Sequence, residues 1–346
     1  MTDRLAAGKL PHALLERLIG DYTGDHTGLG ASRLLVPPGL GEDAAVIDFG
    51  DRCLVVKTDP ITFATDAIGW YAVHVNANDI AAMGAEPRFF LATIIIPEQT
   101  ATPELVESIF RSIHEAADEL GIIVCGGHTE ITHGIDRPIV VGQMLGEVQR
   151  DRLVRSSGLI PGDVLLLTKG LAIEATAIIA REKRRDLLER GMRPEQLDRC
   201  AAYLRDPGIS VVADARTALE AGEVHAMHDP TEGGVATGLF ELASASRVGL
   251  EVDEGALHIS AESSRLCAEY NLNPFGVISS GALLIGCPAS ARTPIIDALR
   301  QAGIRADAIA TVRPAKFGLQ LRHGHNLMPL PEFAVDEITK LFAGDQ

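Results

Sequence analysis

The sequence predicts an α/β (α+β) protein built of two domains. Its length of 346 residues exceeds what one hydrophobic core ordinarily organises. Apolar strand-like runs alternate with helical runs from residue 44 to residue 312, the pattern of sheets covered by helices. Midway lies a polar, turn-rich stretch, Arg150–Gly162, with Ser156-Ser157-Gly158 and Pro161-Gly162. The expected division is an N-terminal domain over 1–152, a C-terminal domain over 153–330 and a tail over 331–346. Hydrophobic residues make up 46% and aromatics 4%, so the cores must be aliphatic and alanine-rich.

The elements follow in order. The first twenty residues read as an amphipathic helix with Leu14, Leu15, Leu18 and Ile19 on one face. Residues 21–40 form a Gly/Pro-rich loop holding Asp25 and His26, either solvated or part of a lid. Two short strands are expected at Ala44–Phe49 and Cys53–Lys57, with Glu42 and Asp43 before the first and Asp59 just after the second. A helix over Asp66–Met83 carries Asn76 and Asp79 near its end. Arg88–Ile96 reads as a buried strand ended by Pro97. Thr102 and Pro103 open a helix as N-cap and first helical residue. It runs through Leu105, Ile109, Ile113 and Ala116 to Leu120, and Gly121 stops it. Ile122–Cys125 is a short buried strand ending in Gly126-Gly127-His128-Thr129-Glu130, and Ile139–Val148 is another strand.

In the second half, strand Val164–Thr168 precedes a glycine-opened helix, Lys169–Ala180. The charge run Arg181–Asp198 interleaves acids with bases and reads as a solvated helical face. Helices are expected over Ile209–Ala221, Val235–Ser246, Ser260–Tyr270 and Thr293–Ala302. Strands are expected over Leu250–Asp253 and Ala282–Gly286, with a last one near Ala308–Val312. Phe333–Gln346 is expected to be a short helix with a frayed end.

Composition excludes several classes of function. Thirty-one basic against 47 acidic side chains leave a net charge of −16, which argues against nucleic acid or an anionic membrane as partner. No apolar run reaches membrane-spanning length, and the start lacks the uninterrupted apolar core of a signal peptide. The five cysteines (Cys53, Cys125, Cys200, Cys267, Cys287) form no CxxC pair. They read as buried, reduced thiols, which implies a cytoplasmic protein.

The chemistry-bearing residues are acids and glycines. Glu42, Asp43, Asp59 and Asp79 fall where strands stop or a helix closes. Carboxylates gathered at one end of a sheet repel unless a cation lies among them, and Mg²⁺ is the usual hard cation for one or two carboxylates plus substrate phosphates. Lys57 could contact phosphate or lie on the surface. Three segments, GLGEDAA, GGHTE and DPTEGG, place glycines beside an acid or a histidine. Without a Cβ, their amides can approach phosphate oxygens closely. There is no GxxxxGK[ST] and no GxGxxG at a strand-to-helix turn, so the P-loop and dinucleotide-fold alternatives are poor. A Mg²⁺–nucleotide site is the resulting expectation.

In order and spacing, these segments resemble the aminoimidazole-ribonucleotide-synthetase-related superfamily of ATP-using enzymes. It includes the synthetase, thiamine-monophosphate kinase, selenophosphate synthetase and the hydrogenase-maturation carbamoyl dehydratase. GEDAAVI looks like the family's GDDAA-type element, KTDP its threonine–aspartate step, and NANDIAAMGAEP its Asn- and Asp-bearing helix. GGHTE stands where relatives carry GGDT, GGHT or GGET. MHDPTEGGVATGLFELASASRVGLEVDE resembles the dehydratase's DPTRGG segment most closely. The resemblance spans about residues 38–315. It implies two α/β domains, a homodimer in which N-terminal sheets close a barrel, and ATP with Mg²⁺ in a cleft between the domains. It further implies Asp43, Asp59 and Asp79 as ligands of metal or its waters, with Glu130 as a further acid. Gly41, Lys57, Gly126, Gly127 and Thr129 would meet the nucleotide from the first half, and Asp229, Gly233 and Gly234 from the second. Asn76 would orient its loop by hydrogen bonds. Lys57, His128 and Glu130 are the candidate catalytic side chains.

The departures qualify the substrate. His128 replaces an aspartate ligand of several relatives, and imidazole is a poor Mg²⁺ ligand. Glu232 replaces the arginine of DPTRGG, and KGLAIE replaces a glycine-rich segment, with Glu174 near the expected acid. The dehydratase's terminal cysteine has no counterpart, since the last cysteine here is Cys287. The expected activity is transfer of the ATP γ-phosphoryl group to a small-molecule or carbonyl/amide acceptor, with another maturation protein as a candidate partner. A small-molecule kinase of the thiamine-monophosphate type and a non-catalytic nucleotide-binding or assembly protein remain the alternatives.

Overall fold

The computed structural model describes residues 10, 12–23, 30–39, 41–62 and 66–342. Asp25 and His26 lie outside the described residues. Two compact units result: an N-terminal unit of residues 32–37 and 43–153, and a C-terminal unit of residues 1–31, 38–42 and 154–346. The first helix, α1 (His12–Thr23), groups with the C-terminal unit.

The N-terminal unit contains β1 (Leu34–Val36), β2 (Ala45–Asp48), β3 (Arg52–Ile61), α2 (Ile68–Ala82), β4 (Glu86–Pro97), α3 (Pro103–Leu120), β5 (Ile123–Thr132) and β6 (Ile139–Gln149). Its strands lie in the order β1-β2-β3-β6-β4-β5. All pairs are antiparallel except β4 with β5, which α3 joins as a crossover. Every residue of α2 is buried, the polar His74, Asn76, Asn78 and Asp79 included. Two glycines of β6 let it press onto the sheet. A Cβ at Gly142 would fall 2.3 Å from Asn76 Nδ2, and one at Gly146 would fall 2.1 Å from Ile80 Cγ2. The start of α3 is capped as its sequence implies, with Thr102 Oγ1 accepting from the Leu105 amide at 3.2 Å. Gly121 closes it in the left-handed region, φ 67°.

Two expectations are corrected here. β3 runs on to Ile61, so Asp59 sits within a strand, paired with Gly142 of β6, rather than after its end. β5 likewise continues through GGHTE to Thr132 instead of turning after Cys125. Parallel pairing with β4 carries it on past an irregularity at Cys125, where the register shifts between Phe90 and Leu91: Gly127 lies opposite Ala92, and a Cβ there would fall 2.1 Å from the Ala92 carbonyl oxygen. β5 is the edge of the sheet and most of it faces outward. Cys125 is therefore exposed, whereas the other four cysteines are buried as expected.

The C-terminal unit contains β7 (Val164–Thr168), α4 (Ile173–Glu182), α5 (Arg184–Glu189), α6 (Pro194–Ala201), α7 (Val212–Ala221), β8 (Ala226–His228), α8 (Gly234–Ser246), β9 (Gly249–Asp253), α9 (Ala261–Glu269), β10 (Leu284–Cys287), α10 (Arg292–Gln301), β11 (Ala306–Arg313), β12 (Leu319–His323) and β13 (Asn326–Pro329). Its strands lie in the order β13-β12-β9-β11-β7-β10-β8, and β7, β8 and β10 form its most deeply buried part. The charge run forms α5 and α6, with exposed pairs such as Arg185–Glu189 at 3.0 Å. β12 and β13 extend the sheet beyond the strand expected to be last. They form a hairpin of mixed polarity, β12 mostly half-buried and β13 exposed, so hydrophobic periodicity does not mark it. The tail is not frayed up to Phe342. Glu337–Leu341 forms a 3₁₀ turn with Ile338 and Leu341 buried. No helix among the described residues is long and apolar enough to cross a membrane.

Candidate functional site

In the N-terminal unit, α2 and β3 bring four polar side chains together. Asp79, on the last turn of α2, is 4% exposed, and Asp43, just before β2, is 6% exposed. Each offers a carboxylate oxygen within 4.8 Å of the other. Lys57 on β3 places Nζ 3.0 Å from Asp79 Oδ1 and 3.3 Å from Asp59 Oδ2. Lys57 and Asp59 are two residues apart on a strand, so both side chains project from the same face. Burial works against the ammonium, but Asp79 and Asp59 beside it, with Asp43 adding to them, hold its pKa well above the usual lysine value. Asn76 orients the strand: its Oδ1 accepts from the Asp59 amide at 2.9 Å, and its Nδ2 donates to the Asp59 carbonyl at 3.3 Å and to Ala72 O at 2.9 Å.

This donor set is hard oxygen only. Two buried carboxylates at such separation fit a Mg²⁺ ion that keeps water and phosphate oxygens as its remaining ligands. Asp59 is engaged across Lys57 rather than belonging to the Asp43–Asp79 pair. Glu130 is elsewhere, on β5, with its carboxylate 3.5 Å from His128 Nε2 and both side chains exposed. The strand order places β5 three positions from β3, roughly 14 Å at ordinary strand spacing. Gly126, Gly127 and Thr129 present extended strand backbone, not the turn expected of them.

In the C-terminal unit, Asp229 is 2% exposed and follows β8. Its neighbour His228 lies 3.0 Å from Glu241 Oε2 of α8, through Nε2. Gly41 packs against the same helix: φ is +79°, and a Cβ would fall 2.7 Å from the Glu241 carbonyl oxygen. Gly233 and Gly234 take φ +79° and +67° and open α8. Beside this turn three acids approach one another. Burial, followed by the neighbouring Glu232 and Asp336, raises Glu174 to about 8 although it accepts from the Ser280 amide. Burial likewise lifts Asp336 to about 6, against three backbone amides that favour its ionised form.

Three functional-looking features escape sequence reasoning. Asp336 comes from the tail, 103 residues away from Gly233, and nothing local marks it. Lys169 belongs to a segment read only as a departure from a family motif. It is pinned in the left-handed region, φ 57°, by a buried ion pair of 3.1 Å to Asp214 Oδ2 and a bond of 2.5 Å to the Ser210 carbonyl. The pairing of His228 with Glu241 joins a strand residue to a helix residue 13 positions on, and no local pattern marks it.

Comparisons with known proteins agree with both units. Residues 41–148 match the N-terminal domain, and residues 161–321 the C-terminal domain, of the AIR synthase related protein family. A hydrogenase expression/formation protein of Methanocaldococcus jannaschii is 26% identical over 306 residues, spanning 86% of this chain and 85% of the relative. Carbamoyl dehydratase HypE of Rhizobium leguminosarum bv. viciae is 27% identical over 277 residues, spanning 78% and 75% of the two chains. Among solved structures, AaThiL complexed with AMPPCP and TMP superposes with a TM-score of 0.72 at 19% identity, over 94% of this chain and 98% of that one. That last likeness is one of fold. Two family domains, matched in order on two successive mixed sheets and together covering well over half of the residues, make this chain a member of the AIR synthase related family.

Proposed function

We propose that this chain is an ATP- and Mg²⁺-dependent enzyme that activates a small acceptor, through a carbonyl, amide or phosphate oxygen, by phosphoryl transfer. The observation that carries the proposal is the buried Asp43–Asp79 pair, with Lys57 bridging Asp79 and Asp59. Bound Mg²⁺ would neutralise charge on the transferring phosphoryl group. The protein's own part is to hold that charge in place. Asp43 and Asp79 are fixed by burial, and Asn76 locks the β3 backbone. Lys57 is kept protonated by its acids and can shift from Asp79 toward a phosphate oxygen. Asp229, Gly233 and Gly234 are proposed to serve the same nucleotide from the C-terminal unit, and Gly41, Gly126, Gly127 and Thr129 to offer it backbone. His128 and Glu130 are proposed to act on the acceptor rather than on the metal.

The two relatives named for hydrogenase formation and carbamoyl dehydration support an acceptor in hydrogenase maturation, and with it a maturation-protein partner. A kinase acting on a phosphate acceptor is the second reading, favoured by the fold shared with AaThiL, which is described with AMPPCP and TMP. A second copy of this chain is proposed to cover β5. This ten-residue edge strand exposes Ile123 at 60%, Val124 at 45% and Ile131 at 57%, and an open apolar edge invites pairing with its own kind.

The test is Asp79→Asn. Titration calorimetry with ATP should show Mg²⁺-dependent binding in the parent and at least about tenfold weaker binding in the variant, with the fold intact. ADP formation over a panel of phosphate and carbamoyl acceptors then separates kinase from dehydratase. Equal affinity in the two proteins would remove the site.

A further inference from the structure

Asp336 is a buried carboxylate that the tail brings to the Gly233 turn. Its Oδ1 accepts from the Ile338 amide at 2.7 Å and from the Ile278 amide at 3.3 Å, and its Oδ2 accepts from the Gly233 amide at 2.6 Å. A plain helix cap would use the first bond alone and leave the second oxygen in water. Here the residue is 5% exposed, and both oxygens are committed to two segments outside its own.

The rest of the tail fixes that position. Phe333 lies over Gly276, where a Cβ would fall 2.3 Å from its ring. The Glu337 amide donates to Gly276 O at 3.1 Å, and Glu337 Oε2 accepts from the Asn273 amide at 2.9 Å. The turn it meets is shaped for glycine alone. Gly233 and Gly234 are both left-handed, and a Cβ at Gly234 would fall 2.6 Å from the Phe275 carbonyl oxygen. The turn is tied to the Ser279 loop by the Ser279 amide donating to Thr231 O at 3.3 Å. Asp229 begins the same segment. The tail lies beyond residue 321, where the family match stops.

We propose that Asp336 is a positioning residue, whose carboxylate joins the Gly233 and Ile278 amides and so sets the turn that carries Asp229. The consequence for nucleotide binding rests on the function proposed above, whereas the positioning does not. Two readouts keep them apart.

The first readout is amide hydrogen exchange without nucleotide. In Asp336→Ala the Gly233 and Ile278 amides should exchange about tenfold faster, the scale of one lost charge-assisted hydrogen bond. The β7 and β10 amides should be unchanged, and added formate, a free carboxylate, should restore protection. Asp336→Asn keeps an accepting oxygen for Ile278 and Ile338 but turns an NH₂ toward Gly233. It should deprotect Gly233 alone and resist formate. Unchanged Gly233 exchange, or a general loss across β7 and β10 that formate leaves untouched, would overturn the positioning role. The second readout is ATP–Mg²⁺ affinity, which should fall about tenfold in Asp336→Ala and recover with formate. Full affinity in that variant would overturn the link to the nucleotide. A parent protein that binds no nucleotide would remove the proposed function and leave the exchange result standing.

Discussion

Replacing Glu174 by glutamine should remove a pH dependence from the C-terminal unit. Glu174 is 4% exposed in the first turn of α4, and its Oε2 accepts from the Ser280 amide at 3.3 Å. Burial, with Glu232 and Asp336 nearby, raises its pKa from 4.5 to about 8. Between those values the unfolded chain has released the proton and the folded chain still holds it. The folded state thus binds more protons, and stability is lost as pH rises. The contribution is whole below pH 4.5, falls by about 3 kcal/mol by pH 7, and levels off above pH 8. Glutamine keeps an accepting oxygen and cannot ionise, so the variant should lack this slope. Any fixed difference from its extra N–H donors cancels when the two proteins are compared across pH. The only tryptophan, Trp70, lies in the N-terminal unit, so fluorescence would miss the event. Exchange of the β7 and β10 amides through global opening, corrected for intrinsic rates at pH 5 and pH 8, reports it directly. The variant's advantage should grow by about 3 kcal/mol or more over that range. Parallel stability profiles for the two proteins would refute an acid held neutral by its surroundings.

Three further outcomes are expected. Lys57→Met leaves Asp79 and Asp59 without their cation, and should lower the Trp70-detected urea stability by about 2 kcal/mol in chelator, a buried-pair loss discounted because the lysine is 22% exposed. Added Mg²⁺ should restore part of it, and no restoration would count against a metal at Asp43 and Asp79. Gly127→Ala puts a methyl 2.1 Å from the Ala92 carbonyl and should part β4 from β5, costing about 3 kcal/mol in thermal or urea unfolding; a neutral result would show that the edge strand yields freely. Val124→Asp charges the exposed edge of β5 and, on the proposed pairing of β5 with a second copy, should sediment as a monomer where the parent is expected to sediment as a dimer; equal sedimentation of the two would count against that pairing.

Much of the fold was legible because its signals are local. Thr102, Pro103 and Gly121 delimit α3 by capping chemistry that needs only neighbouring residues. The apolar run from Arg88 to Ile96 marked a strand, although β4 is buried only at alternate positions, and the acids at positions 43 and 79 could be marked as a possible group from where strands and helices begin or end. Strand lengths were less legible. β3 and β5 run past their expected ends because β6 and β4 continue to pair with them, and pairing is a property of the partner. The β12–β13 hairpin escaped for the same reason, since half-exposed strands of mixed polarity carry no clear period.

Within the site, sequence alone determined the residue types: hard oxygen donors, one lysine between them, and glycines where a side chain would collide. Tertiary structure decided which of these meet. It set Asp43 beside Asp79, held Asp59 across Lys57, sent Glu130 to the outer strand, and brought Asp336 from the tail to Gly233. The physical reason is range. Propensity and capping act over a few residues, whereas Coulomb attraction, amide donation and burial act between any groups that the folded chain places within a few ångströms.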